Sequence, residues 1–218
     1  MPNPKLLIEI WSDIVCPFCY IGKRHIELAL TEFKQQQPDT EVELHWRSFE
    51  LDPNAPKLDP RPMSEILSQK YGRSLAETDA MTENMKKMGA SVGLTMNMRG
   101  VKRINTFDLH RLLHFAASKA LQSQLKEVLM QAYFVDNLDL SQSETVLALA
   151  EKAGLSPAEV QQVLDTDQFA KEVRADQALG REYGIQGVPF FVFNQSVGVS
   201  GAQPVSILLQ ALQQSTAT

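Results

Sequence analysis

Residues 5–12, KLLIEIWS, form a short run rich in Leu, Ile and Trp, the texture of a strand covered on both faces. From Cys19 to about Gln36 the pattern is helical, with Ile21, Ile26, Leu28, Leu30 and Phe33 as apolar positions and Pro38 just past the end, where a helix commonly stops. EVELHWRSFEL then alternates apolar and polar residues and predicts a second strand over 41–50. The opening is thus β-α-β, for which a right-handed parallel crossover is the rule. LDPNAPKLDPRP follows, with Pro53, Pro56, Pro60 and Pro62, a connector that admits neither regular helix nor sheet.

Beyond it the texture is helical, with segments at 63–71, 75–92, 105–119, 121–136, 143–153, 156–164 and 167–183. Ser143 and Ser156-Pro157 are helix starts; Gly154 and Gly184 are helix ends. GVPFFVFN brings β texture back, and a turn at Gln195-Ser196 into VGVSG predicts a hairpin over 189–200. A last helix over 204–213 begins at Pro204, a favourable first-turn residue. The expected fold is α/β, a small mixed central sheet built from both ends of the chain and interrupted by a large all-helical insertion. On this reading 1–60 plus 184–218 form one domain and 61–183 the other.

Composition changes this picture little and charge narrows it. The 218 residues are 44% hydrophobic and 22% charged, as in ordinary globular chains. Lys and Arg number 21 against 26 Asp and Glu, a net charge of −5, which argues against a nucleic-acid partner because phosphate binding needs a basic face. No apolar run is long enough for a membrane span. Glu9 and Asp13 interrupt the N-terminal apolar stretch, unlike a signal peptide. The first residues therefore read as mature fold, with the cytoplasm as the expected location.

The chemistry concentrates in SDIVCPFCYIGKR, residues 12–24, which holds Cys16 and Cys19, the two cysteines of the chain. In a reducing compartment a structural disulfide is disfavoured. Cys16 falls where the first strand gives way to the first helix, near free backbone N–H groups and the positive end of the helix dipole, which predicts a lowered thiol pKa. Cys19 stands nearly one helical turn on, beside it. Pro17 sets the helix start without losing an N–H, and Phe18 adds neither donor nor charge, so the pair should be a mild oxidant. The spacing suits a reversible Cys16–Cys19 disulfide in which Cys16 attacks a partner sulfur and Cys19 resolves the mixed disulfide. The competing reading is half of a zinc site, which would need two further ligands from the four histidines; no metal is expected.

CPFC after a strand, a helical insertion and a later GVPFFVFN resemble the thioredoxin-fold DsbA family. SDIVCPFCYIGK and GVPFFVFNQSVGVSGAQP resemble its cytosolic FrnE-like branch, and the likeness spans essentially the whole chain. The resemblance implies a thioredoxin fold, a nucleophile at Cys16, a resolving thiol at Cys19 and a cis-proline at Pro189. It also implies that Val188 offers its backbone to an extended substrate peptide. Phe18 stands where periplasmic members carry histidine, so their strong oxidase role does not transfer. Asn105 with Thr106 and His110 resemble a segment placed near the substrate groove.

Glu9, seven residues before Cys16, is a candidate proton relay with a carboxyl pushed up by burial, and Asp13 is its rival; either is otherwise a solvent-facing strand-end carboxylate. His110 and His114 lie one helical turn apart and read as groove or core-edge histidines. Met81, Met85, Met88, Met96 and Met98 read as a core stripe before a peptide-binding surface.

The leading function is thiol–disulfide exchange on cysteine-containing proteins or small thiols, with no cofactor beyond the redox disulfide and glutathione as a candidate co-substrate. A glutathione-dependent transferase or isomerase is the alternative, disfavoured because those relatives generally lack the second cysteine. A peptide-binding, chaperone-like module is the third. Monomer and dimer both remain open.

Overall fold

The computed structural model describes residues 5–216. In chain order its elements are β1 (Lys5–Ser12), α1 (Pro17–Gln36), β2 (Glu41–Ser48), α2 (Met63–Tyr71), α3 (Leu75–Ala90), α4 (Phe107–Ser118), α5 (Gln122–Phe134), α6 (Ser143–Lys152), α7 (Pro157–Leu164), α8 (Ala170–Glu182), β3 (Phe190–Phe193), β4 (Val197–Ser200) and α9 (Val205–Thr216). The β-α-β opening, the helical middle and the closing β-β-α are those expected. Strand β2 stops two residues early, and α1 starts at Pro17 rather than Cys19.

The chain divides into two compact units, one up to Leu51 and again from Arg174, the other Asp52–Val173. These boundaries correct the expected 60/61 and 183/184. The Pro-rich connector belongs to the second unit because Arg103 binds both Asp52 (2.5 Å) and Asp59 (3.0 Å), and Leu58 bridges to Ile104. Most of α8 belongs to the first unit because the Trp11 indole N–H donates to the Asp176 carbonyl at 2.8 Å. Gly180 lets α8 approach that ring; a Cβ there would lie 2.9 Å from Trp11 Nε1.

In the first unit the sheet order is β2-β1-β3-β4. β1 and β2 are parallel, with Glu9 opposite His45 and Trp11 opposite Arg47. β3 is antiparallel to both β1 and β4. Side chains alternate across a strand, so β1 divides its residues between two faces. Leu6, Ile8 and Ile10 join Ile26 and Phe33 of α1 and Leu208 and Leu212 of α9 in one core. Each such fully buried side chain is worth about 1.5–3 kcal/mol. Trp11 packs with Ile185 and Val192 in a separate cluster. Glu9 has the parity of Trp11 and so lies on the face away from α1.

The hairpin turn is one residue earlier than expected. Asn194 and Gln195 take φ of 46° and 55°, and Ser196 N–H donates to the Phe193 carbonyl at 3.0 Å. Two consecutive positive φ values make the tight turn whose twist suits a hairpin. Asn194 is selected there because its side chain accepts from Leu7 N–H and donates to the Ser215 carbonyl, both at 2.8 Å.

The second unit is helical. Met85, Met96 and Met98 are buried while Met88 is exposed, so the methionines chiefly fill core. Among the described residues no helix is long and apolar enough to cross a membrane.

Candidate active site

Strand β1 ends at Ser12, and Asp13–Cys16 turn the chain into α1, with Cys16 N–H 3.4 Å from the Asp13 carbonyl. Cys16 is the residue before the helix, in extended geometry, and Pro17 takes the first helical position. The Cys16 carbonyl accepts from Cys19 N–H (3.1 Å) and Tyr20 N–H (3.3 Å), so the first turn winds the CPFC loop tightly. Both cysteines are free thiols, the reduced member of the expected couple. Both are buried, Cys16 at 3% exposure and Cys19 at 0%; Phe18 between them is 40% exposed.

The Cys16 thiol donates to the Val188 carbonyl at 3.6 Å. The Val188–Pro189 peptide is cis, and the Pro189 carbonyl accepts from Gly201 N–H at 2.8 Å. Thus Cys16 and Val188, 172 positions apart in the chain, meet in the unit that also holds Cys19 and Pro189. Gly22 is a site residue that the pattern of motifs missed. A Cβ there would lie 2.9 Å from Pro189 Cγ and 3.3 Å from Phe191 Cζ, so the bare backbone lets α1 lie against Pro189. The available signal was a glycine inside an otherwise helical run, which often marks close approach.

The protonation of Cys16 departs from expectation. The hydrogen bond with the Cys19 sulfur, burial, and the Cys19 and Asp13 charges push the Cys16 thiol well above its ordinary value; the Cys19 backbone N–H pulls the other way. The helix start does favour a thiolate, but the hydrogen bond with Cys19 and burial outweigh it.

The two candidate relay carboxylates are both 1% exposed, so neither faces solvent, and they are held differently. Glu9 Oε1 accepts from Arg47 Nε (2.9 Å) and Nη2 (2.5 Å), while its Oε2 has no hydrogen-bond partner. Arg47 also meets Asp176 Oδ1 at 2.9 Å, and Asp176 Oδ2 takes Ser48 N–H at 2.8 Å. Glu9 is therefore part of an ion-pair network linking β1, β2 and α8. Asp13 lies in the turn that leads into Cys16, and its Oδ2 accepts Leu51 N–H at 2.8 Å.

Asn105 and His110 belong to the helical unit. The Asn105 amide donates to the Ala55 carbonyl (3.2 Å) and accepts Phe107 N–H (3.0 Å), so it ties the connector to the start of α4. It also lines a cavity of about 520 Å³ inside that unit. His110 is 1% exposed. Among the described residues no group of three or more His, Cys, Asp and Glu side chains is placed to hold a metal ion.

Beside this geometry of a CPFC loop at the head of α1, residues 7–213 match the model of the DSBA-like thioredoxin domain. The chain belongs to that family. The DSBA-like chain is 40% identical to a probable DsbA oxidoreductase of Streptomyces coelicolor, with a TM-score of 0.90 over 96% of this chain and 89% of the other. It is 27% identical to YwbO, an uncharacterized protein of Bacillus subtilis, over 94% of both chains. It shares the fold of the cytosolic disulfide reductase DsbM of Pseudomonas aeruginosa, solved with GSH, at 14% identity and a TM-score of 0.63 over 97% of this chain and 100% of that one. The DSBA-like family supports a general oxidoreductase role, with thiols or proteins as substrates.

Proposed function

We propose that this DSBA-like chain is a thiol–disulfide oxidoreductase that works through a Cys16–Cys19 dithiol/disulfide couple on protein or small-molecule disulfides in the cytoplasm. The observation that carries the reading is the contact of Cys16 Sγ with the Val188 carbonyl, 3.6 Å away, which sets a nucleophilic sulfur beside backbone that precedes β3. An extended substrate pairs with the Val188 backbone as an added strand, beside Pro189, which has no N–H to donate.

In the forward step the Cys16 thiolate attacks one sulfur of R–S–S–R′. The Cys16–S–R bond forms, the substrate S–S bond breaks, and R′S⁻ leaves and takes a proton. Cys19, as thiolate, then attacks the Cys16 sulfur; the Cys16–Cys19 bond forms and RS⁻ leaves. Two electrons have passed to the substrate. Two equivalents of a small thiol, with glutathione as the expected one, return the pair to the dithiol by the reverse exchange and become oxidised. Asp13 enters as the flanking carboxylate, in the turn that leads into Cys16, while Glu9 is held by Arg47. No cofactor is required beyond the disulfide.

Cys16→Ser should abolish disulfide exchange, and Cys19→Ser should accumulate mixed disulfides with substrate or glutathione, visible by intact mass. A Cys19→Ser variant that turns over protein disulfides at the wild-type rate would sink this mechanism and favour a glutathione-dependent transferase or isomerase.

A further inference from the structure

We propose that Gly201 is a positioning residue for disulfide exchange: through its N–H on the Pro189 carbonyl it holds the Val188 backbone ready for a peptide substrate at the stage when Cys16 no longer holds it. This deepens the oxidoreductase reading and rests on it.

The Val188 carbonyl is tied to Cys16 by the thiol proton, 3.6 Å from Sγ. That tie is conditional. A thiolate has no proton to donate, and neither has a sulfur bonded to substrate or to Cys19. Exchange therefore releases the Val188 carbonyl, which becomes an acceptor for a substrate N–H. It also removes a restraint from the segment that carries this carbonyl, and a segment left loose has to be ordered again by the substrate.

A second restraint, independent of sulfur chemistry, acts on the adjoining residue. β3 and β4 pair up to Phe190 opposite Ser200, and one step further the Gly201 N–H donates to the Pro189 carbonyl at 2.8 Å. Proline has no N–H, so this carbonyl is the backbone group by which Pro189 can be held. Gly201 takes a φ of 82°, where a side chain is strained and glycine is not. A Cβ there would have Gln203 Nε2, at 3.8 Å, as its nearest neighbour outside the adjacent residues. Glycine is thus required by conformation and not by crowding. Gln203 closes the turn: its N–H donates to the Gly201 carbonyl and its side-chain amide to the Ser200 carbonyl, both at 2.9 Å. α9 follows, and its Leu208 and Leu212 share a core with Ile26 and Phe33 of α1, the helix that starts just after Cys16. The turn is anchored on one side by β4 and on the other by a helix packed against α1. Val188 itself packs on the cluster of Trp11, Ile185 and Val192. The Gly201 bond therefore keeps Pro189, and with it the Val188 backbone, in register with Cys16 after the thiol proton has gone.

The test is Gly201→Ala compared with Gly72→Ala. Gly72 ends α2 at a φ of 62° with nothing within 4 Å of a Cβ. Both substitutions force a side chain into the left-handed region without crowding, and both should lower Tm by similar amounts. Each variant is assayed on two disulfides: a short peptide dimer joined by one disulfide, and hydroxyethyl disulfide, which has no backbone to pair with Val188. Gly201→Ala should lower kcat/KM for the peptide by about three- to tenfold, the fold-change carried by one backbone hydrogen bond. It should change kcat/KM for hydroxyethyl disulfide by less than about twofold. Gly72→Ala should leave the ratio of the two within about twofold of wild type. An unchanged ratio in Gly201→Ala, or an equal change in Gly72→Ala, overturns the proposal. If Gly201→Ala does not fold, hydrogen exchange at the Gly201 amide of the wild type decides. Protection that survives oxidation of the dithiol to the Cys16–Cys19 disulfide supports the proposal, and protection lost on oxidation refutes it. A wild type that reduces neither disulfide would strike the oxidoreductase reading instead, while the amide exchange would still report whether Gly201 holds Pro189.

Discussion

Gly22 offers the sharpest test of how the site is held. In an exposed helix interior, glycine is about 0.8–1.0 kcal/mol less favourable than alanine, so Gly22→Ala in an open position would stabilise the protein by about that amount. Gly22 is not in an open position. The new methyl would lie 2.9 Å from Pro189 Cγ and 3.3 Å from Phe191 Cζ. Neither atom is the end of a flexible chain. The proline ring is fixed to its backbone, whose carbonyl is tied to Gly201, and Phe191 is fully buried. Overpacking of this kind costs about 1–3 kcal/mol. Subtracting the helix gain leaves a net loss of about 1 kcal/mol, or a Tm lower by about 2–4 °C for a chain of this size. The strain falls on Pro189, whose neighbour Val188 contacts Cys16, so the rate of disulfide exchange should fall together with Tm. Thermal unfolding by circular dichroism and a thiol-exchange assay on the same preparation read both. A Gly22→Ala variant that gains stability and keeps the wild-type rate would refute the close approach of α1 to Pro189.

Two further outcomes follow from the charges. Arg47→Ala should cost about 3 kcal/mol, the lower end for breaking a buried pair because Arg47 is partly exposed. It leaves Glu9 and Asp176 buried without their shared cation; denaturant titration showing a loss under about 1 kcal/mol would contradict the network. In the helical unit, Arg61 above all, with Arg103, holds the Asp59 carboxyl well below its ordinary 3.8. A depressed carboxylate contributes stability that is fully present above its unfolded pKa and lost as pH falls through the folded value. Arg61→Gln should therefore be less stable than wild type at neutral pH, with the gap closing steadily below pH 3.8. A gap independent of pH would show that Arg61 acts by packing alone.

Local patterns carried much of this protein. The strand texture of KLLIEIWS, the proline that opens α1 and the placement of two cysteines within one helical turn are written in neighbouring residues, so the β-α-β opening and the CPFC loop could be read directly. The hairpin could be read too, but its turn slipped by one residue. Asn194 is chosen there by hydrogen bonds to Leu7 and Ser215, which are distant in the chain. The Pro-rich connector looked like a linker, and only Arg103 reaching back to Asp52 and Asp59 makes it part of the helical unit.

The same division runs through the site. The sequence by itself determined that the two cysteines stand within one helical turn at the start of α1, because a three-residue spacing is a local property. Tertiary structure decided how far their sulfurs are withdrawn from water. The helix dipole argued for a thiolate at Cys16, but a dipole is a local property and desolvation is not. The hydrogen bond with Cys19 comes first and burial next, and together they push the Cys16 thiol up. Glu9 looked close because it is near in sequence; strand alternation turns it to the other face of the sheet, where Arg47 and α8 claim it.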